Sequence, residues 1–338
     1  MTNNALVITS ISNSENKILQ DYARKAPGYG FHFIVVGDDK SPDDFELSGC
    51  EFLSLKGQLS SGFELAKLLP TRHYARKNIG YLAAMKNGAN IIVETDDDNY
   101  AKDCFWNTRD SHVDADFYEN AGWFNIYNLF SGENIWPRGF SLEHIKVIPD
   151  KNTAVKKSCY CPVQQGLADE NPDVDAIYRM ISPLPVNFKK ANNTALGKNT
   201  WCPFNSQNTT WFKEVFMLMY LPSYCNFRMT DIWRSFVVQR ICWENGMDIL
   251  FHNATVWQER NEHNLLIDFK DELSGYSNNN EIINRLTGLK LKKGAEFIPD
   301  NIKACYKVFI DMNLMDKKEL DLINAWIKDV NTIHNKLN

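Results

Sequence analysis

Three consecutive aspartates, Asp96-Asp97-Asp98, follow an apolar run, Asn90–Glu94, and are the residues of this chain best suited to chemistry. Two carboxylates about 4 Å apart repel by ~1 kcal/mol in water and by ~4 kcal/mol at an effective dielectric near 20. A strand end that gathers three of them needs a cation or a fully solvated loop. Hard oxygen ligands suit Mg²⁺ or Mn²⁺, which would bridge to a diphosphate. Upstream, Thr71 caps an expected helix in which Ala75, Ile79 and Leu82 recur at helical spacing and which Gly88 ends. Arg72 and Arg76, at i and i+4, share one face of it. A basic helix feeding the strand that carries the acidic triplet supplies both halves of a metal–diphosphate site. Read blandly, the same residues are surface charge and a solvated acidic turn.

Other residue types also suit ligand chemistry. Asn205, Gln207 and Asn208 follow Trp201-Cys202-Pro203-Phe204. Amides that both donate and accept suit sugar hydroxyls, and Trp201 offers an apolar face to a pyranose; Asx turns account for the same amides in a loop. Asp231 opens a helix in which Trp233, Phe236, Val237, Arg240 and Ile241 fall with amphipathic spacing, so helix capping explains it without any catalysis. Arg234 lies one turn on, where it could orient Asp231 or hold a phosphate.

The elements that position these residues alternate. Ala5–Ser10 is a short β-rich run, Glu15–Lys25 a polar helix, and Phe31–Val36 a second buried strand ending at Gly37-Asp38-Asp39. Such alternation predicts a largely parallel sheet with its ligand beyond the carboxyl ends of the strands. Residues 100–210, rich in Asn, Pro, Trp and Phe, read as loops and short mixed strands. Trp211–Leu221 and Asp231–Glu244 read as helices, and Asp248–Trp257 as a strand. Near the end, Asp316 with Glu319 resembles a capping box, and Leu320, Ile323, Ile327 and Val330 form an apolar stripe that should pack on the main domain.

The 338 residues, 44% hydrophobic and 12% aromatic, suit one large α/β domain with an appendage or two small ones. With 23% charged residues the chain is not of disordered type, and a net charge of −5 argues against a general nucleic-acid binder. The N-terminus lacks signal-peptide features and no window approaches 18 apolar residues, so no membrane span and a cytoplasmic location are expected. Eight cysteines without a CxxC pair, Cys159 and Cys161 included, are expected as free thiols.

The stretch Arg76-Lys77-Asn78-Ile79-Gly80 through Asp98 resembles the R-N-x-G … D-x-D core of GT-A glycosyltransferases. Further segments come in the order seen in STELLO-type glycosyltransferase-like proteins. They are Trp136-Pro137-Arg138-Gly139-Phe140, Gln165-Gly166-Leu167 with Pro172-Asp173-Val174-Asp175-Ala176, Pro203-Phe204-Asn205-Ser206-Gln207-Asn208-Thr209, Asp231-Ile232-Trp233-Arg234 and Arg260-Asn261-Glu262-His263-Asn264. This likeness spans roughly residues 5–275. A second resemblance, to the UDP-arabinopyranose mutases, rests on the triple Asp, the R-G-F element, the G-L … P-D-x-D-A element and an Asp followed by Ile-Trp.

These resemblances imply a GT-A-like α/β fold, a mixed and mostly parallel sheet flanked by helices, over residues 1–275, with a C-terminal helical segment at 276–338. They imply that Thr9 and Ser10 line a uracil site beside Asp38 or Asp39. Arg72, Arg76, Asn78, Asp97, Arg138 and Arg260 would be further donor contacts. Asp96 would face the ribose and, with Asp98 and His263, the metal, Mn²⁺ or Mg²⁺; His252 is an alternative ligand. Asp231 would be the base in an inverting enzyme, and Trp201, Asn205, Gln207, Asn208 and Arg234 would meet the sugar or acceptor. The expected partners are a nucleotide-sugar donor and a glycan or other hydroxyl acceptor, with peripheral association with a glycan-assembly complex as a possible addition. The alternatives are a nucleotide-sugar mutase and a non-catalytic regulator of the same fold.

Overall fold

The computed structural model describes residues 3–259 and 264–337. Its strands are β1 (Asn4–Thr9), β2 (Phe31–Val36), β3 (Glu51–Leu53), β4 (Ile91–Thr95), β5 (Asn99–Ala101), β6 (His112–Tyr118), β7 (Gly122–Trp123), β8 (Val155–Tyr160), β9 (Val163–Asp169), β10 (Thr194–Leu196), β11 (Thr200–Trp201), β12 (Asn208–Phe212) and β13 (Ile249–Gln258). Its α-helices are α1 (Lys17–Lys25), α2 (Leu55–Ser60), α3 (Glu64–Leu68), α4 (Lys77–Lys86), α5 (Tyr127–Phe130), α6 (Ala176–Ile181), α7 (Thr230–Glu244), α8 (Leu265–Gly288), α9 (Ile298–Asp311) and α10 (Glu319–Leu337).

One mixed sheet runs β3-β2-β1-β4-β12-β9-β13-β10-β6-β8, with β5 paired to the end of β13. Its first four strands are parallel throughout. Strands β1, β2 and β4 are buried on both faces, which is why their sequences are largely apolar runs rather than alternating ones. β12 then enters antiparallel between β4 and β9. Helix α1, capped by Asn16, turns Ile18, Leu19, Tyr22 and Ala23 onto one sheet face. On the other face α4 is buried along almost its whole length. Gly80 permits that contact, since a Cβ there would lie 2.5 Å from Val7 Cγ1 and 2.6 Å from Val36 Cγ2.

The fold is thus the expected mixed α/β sheet flanked by helices, and the C-terminal helices pack on it through Leu322, Ile323, Trp326 and Val330. Helix α8 runs continuously through residues 275 and 276. Asp329 of α10 accepts the backbone N–H groups of Glu64 and Leu65 at 3.0 and 2.9 Å, which fastens the tail to α3. Glu319 forms no capping box; it accepts from Ser223 N at 3.1 Å, Tyr224 N at 2.7 Å and the Tyr220 hydroxyl.

Two further expectations are corrected. Trp211–Leu221 is not an α-helix: Asn208–Phe212, rich in Thr and aromatics, is claimed by its two neighbouring strands, and the helix that follows is a 3₁₀ one, Lys213–Met219. The helix expected from Thr71 starts only at Lys77, after a 3₁₀ turn Tyr74–Arg76, because Arg72 adopts φ 57°, outside helical space. All eight cysteines are free. Among the described residues no helix is long and apolar enough to cross a membrane.

Candidate functional site

Two adjoining cavities open at the carboxyl ends of β1, β2 and β4. One, of about 270 Å³, is lined by Ser10, Val36, Gly37, Asp38, Asp39 and Arg72 among others; the second, of about 300 Å³, by Asp96, Asp98, Arg138, Ser206, Arg228 and Asp231. Thr9, Tyr74, Asp97 and Phe227 line both, so the two form one cleft.

The acidic triplet divides its work. Asp97 turns toward the loop between β1 and α1: its Oδ2 accepts from Ser10 Oγ at 2.5 Å and Ser12 Oγ at 3.2 Å, and Asn16 Nδ2 donates to its carbonyl at 3.2 Å. Asp96 Oδ1 accepts from Lys77 Nζ at 2.9 Å. Lys77, fully buried, also donates to the carbonyls of Thr95 at 2.9 Å and Ser206 at 3.4 Å. Asp98 Oδ2 accepts from Gln258 Nε2 at 2.7 Å. Burial, with Asp96 and Asp97 close by, pushes the Asp98 carboxyl up to about 7. Crowded carboxylates of this kind fit a divalent cation held by Asp96 and Asp98. Among the described residues no three His, Cys, Asp or Glu side chains gather as a complete cage. The remaining ligands of such an ion would therefore come from substrate and water, as Mg²⁺ commonly arranges.

In the first cavity Asp38 Oδ2 accepts the His73 backbone N–H at 3.0 Å, and Arg72 Nε donates to Asp39 at 2.8 Å. Arg72 is largely exposed and stays a candidate phosphate contact, but it shares no helix face with Arg76. Arg76 is 1% exposed and its guanidinium is taken up by Gln58 Oε1 and by the carbonyls of Leu69, Pro70 and Ala66. Arg76 lines the first cavity, and these bonds tie it to the loop beneath. Lys77, one residue on, is the cation that sequence reasoning missed, because the late helix start turns position 77, not 76, toward the triplet.

Several other expected contacts are structural. Asn78 forms a paired hydrogen bond with the backbone of Leu221, at 2.8 and 2.9 Å. Trp201 is a core residue beside Trp243, with ring centroids 4.5 Å apart, and presents no face to a sugar. Arg234 is fully buried and ion-paired with Glu94 at 2.7 Å. Asn208 Nδ2 donates to Leu167 O at 3.0 Å and to Thr255 Oγ1 at 2.8 Å. Gln207 Nε2 donates to Gln258 Oε1 at 3.0 Å, behind the amide that meets Asp98. Asn205 Nδ2 donates to Asp173 Oδ2 at 2.9 Å. His252 lines a different cavity. Arg260 and His263 lie outside the described residues.

Asp231 does reach the cleft, but its carboxylate is fully engaged. Arg138 N–H groups approach it at 3.1 Å, Ser206 N at 3.1 Å, Ser206 Oγ at 3.3 Å and its own chain's Ile232 N at 3.0 Å. Burial alone would raise its pKa; the Arg138 guanidinium overrides that and holds it at about 2. A carboxylate offers about four lone-pair sites, and these donors occupy them. Arg138 is equally committed: Nε and Nη2 grip Asp173 at 2.8 Å, and Nη1 also donates to Arg228 O. In this arrangement Asp231 is ionised but has no lone pair free for an incoming hydroxyl, and Arg138 has no N–H free for a sugar. The residue that closes this network by gripping Arg138, Asp173, lies in the Pro-Asp-Val-Asp-Ala element, which the resemblance singles out without giving Asp173 a role.

Comparison with known proteins agrees with the motif order. Residues 228–338 match the family model of STELLO glycosyltransferases. Two Arabidopsis thaliana proteins, "Probable glycosyltransferase STELLO2" and "Probable glycosyltransferase STELLO1", are 26% and 25% identical to 89% of this chain. The chain spans 41% of the length of each of these curated relatives. A solved structure titled "Crystal Structure of a Mycobacterial Protein" superposes with a TM-score of 0.42 and 12% identity, covering 82% of this chain and 74% of that one. That likeness is too slight to carry an argument.

Proposed function

Because the chain is of the STELLO type, we propose that its cleft binds a nucleoside-diphosphate sugar, with UDP as the nucleotide, and transfers the sugar to a hydroxyl acceptor. The observation that supports this most is the joining of the two cavities through Thr9, Tyr74, Asp97 and Phe227. A nucleoside in the first cavity, beside Thr9, Ser10 and Asp38, would carry its diphosphate toward Asp96 and Asp98 in the second. Mg²⁺ or Mn²⁺ bound there would neutralise the charge of the departing diphosphate. Lys77 fixes the Asp96 carboxylate, Gln258 that of Asp98, and Asp97 ties the triplet to the loop after β1. Arg72 supplies an exposed guanidinium near the phosphates.

Calorimetry with UDP tests this reading. Binding should be weak in EDTA and at least tenfold tighter with Mn²⁺, and Asp98→Asn should remove the gain. Equal affinity with and without metal would refute the metal role, and no UDP binding in either condition would refute the donor.

The saturation of Asp231 favours a second reading, a nucleotide-sugar mutase, which needs no base for an acceptor hydroxyl. Incubation with UDP-arabinopyranose followed by chromatography distinguishes the two: a furanose product without added acceptor supports the mutase.

A further inference from the structure

Away from the carboxylate cleft, a cavity of about 910 Å³ opens on the sheet surface between β6, β9 and β13. Part of its wall is a β-bulge: β13 slips in register against β9 between His252 and Val256, and Asn253, Ala254 and Thr255 line the cavity. Bulges recur where a strand must re-aim side chains at a site.

At this cavity lies a guanidinium with no ionic partner. Arg109 donates from Nε to Thr210 Oγ1 at 2.9 Å, and from its terminal nitrogens to Phe105 O at 2.6 Å and Asn107 O at 3.2 Å. Its charge lies over the rings of Phe105 and Phe31, 5.3 and 5.6 Å from their centroids. Among the described residues no carboxylate comes within ion-pair distance of it. Asp110, next in the chain, accepts the His112 backbone N–H at 2.9 Å, and Asp169 is taken by Lys102. A largely buried charge that lacks a counter-charge is costly, and the aromatic faces offset only part of that cost. Burial accordingly lowers the Arg109 pKa to about 10.

Near it is His252. Its Nδ1 lies 3.0 Å from the Asn253 carbonyl, which can only accept, so Nδ1 carries the hydrogen and Nε2 the lone pair. Burial, with Arg109 adding its own repulsion, lowers its pKa to about 4, and the ring is neutral at pH 7. An anionic group satisfies Arg109 but brings only lone pairs to His252 Nε2, which needs a donor such as a hydroxyl. Apolar Leu250 and Phe188, the amides of Asn193 and Gln164 and an exposed carboxylate, Asp114, also line it, with Lys190 at hand as a further cation.

We propose that this cavity is a second binding site that takes an acidic carbohydrate, with its carboxylate or phosphate at Arg109 and a hydroxyl at His252 Nε2. The site stands independently of the reading of the cleft. Thr255, on its wall, precedes by three residues the Gln258 that meets Asp98, a distance of about 10 Å along an extended strand.

Calorimetry and saturation-transfer NMR on the full chain with glucuronic acid, glucose 6-phosphate, glucose and inorganic phosphate test it. Both acids should bind about tenfold or more tightly than glucose, the difference a charge-assisted hydrogen bond makes; which of the two binds tighter identifies the anionic group. Arg109→Met should abolish the difference and Arg109→Lys retain part of it. His252→Phe, which leaves the Arg109 contacts in place, should weaken both acids about fivefold. Asp98→Asn, in the other site, should change nothing. Equal binding of glucose and the acids, phosphate alone binding as well as the sugar phosphate, unchanged affinity in both Arg109→Met and His252→Phe, or no binding of any probe would each overturn the proposal.

Discussion

Replacing Arg234 by methionine separates a structural role from a substrate contact. The side chains of Arg234 and Glu94 are both fully buried, with Nη2 at 2.7 Å from Oε1 and Nη1 at 3.3 Å from Oε2. Glu94 also accepts from Trp211 Nε1 at 2.8 Å and from the Tyr81 hydroxyl. The pair therefore bolts β4, which delivers the acidic triplet, to α7, which delivers Asp231. Arg234→Met keeps the length but leaves the Glu94 carboxylate buried without its cation, a loss of about 3–5 kcal/mol. An unfolding entropy of ~2.1 cal/mol/K per residue over 338 residues gives about 0.7 kcal/mol/K, so Tm should fall by roughly 4–7 °C. Glu94→Gln alone should cost a similar amount, since it strands the guanidinium. The double variant should lose less than the sum of the two single losses, with a coupling of about 1–3 kcal/mol from urea unfolding. Additive losses would refute the clamp. So would an Arg234→Met protein that unfolds like the parent yet binds UDP poorly, because Arg234 would then be a ligand contact.

Two further outcomes follow from the site's packing and charge. Gly80→Ala should gain the ~1 kcal/mol helix propensity of alanine yet lose about 1–3 kcal/mol net in urea unfolding, because the new methyl meets Val7 and Val36. The Asp231 carboxyl, held at about 2, lies below its unfolded value near 3.9, so it stabilises the fold above pH 4, and that contribution, about 2–3 kcal/mol, is lost as pH falls from 4 to 2. Asp231→Asn should flatten this acid limb in a pH series of unfolding curves; an unchanged limb would show that Arg138 does not govern the carboxyl.

The parallel half of the sheet was legible because strands buried on both faces are largely apolar, as β1, β2 and β4 are. The second half was legible only as short mixed strands in 100–210 and the strand at 248–257, not as individual elements. β10 and β11 are three- and two-residue strands in an Asn- and Pro-rich segment, and their conformation comes from their neighbours β6, β13 and β7, not from local propensity. Trp211 shows the same override: a helix-like pattern was defeated by edges waiting on both sides.

At the site, residue types were easier to read than directions. The triplet is where its strand predicts, yet the cation facing it depends on helix phase, and the phase is set by the turn at Arg72 and the carbonyls that Arg76 satisfies. One residue of register moves the positive charge from Arg76 to Lys77, which no count of basic residues reveals. Asp231 carries the same lesson with a chemical consequence. Its place at the start of α7 was visible, but its partner Arg138, and the Asp173 that grips Arg138 in turn, lie far away in the chain. Those two residues decide its chemistry, since a carboxyl held at about 2 is a weak base however well it is placed. For Asp231 to take a proton from an acceptor, Arg138 must first be drawn off it, and a diphosphate entering the shared cleft is the one expected ligand that competes for a guanidinium. Donor binding would then prepare the base, and an acceptor arriving first would meet a carboxylate with nothing to offer.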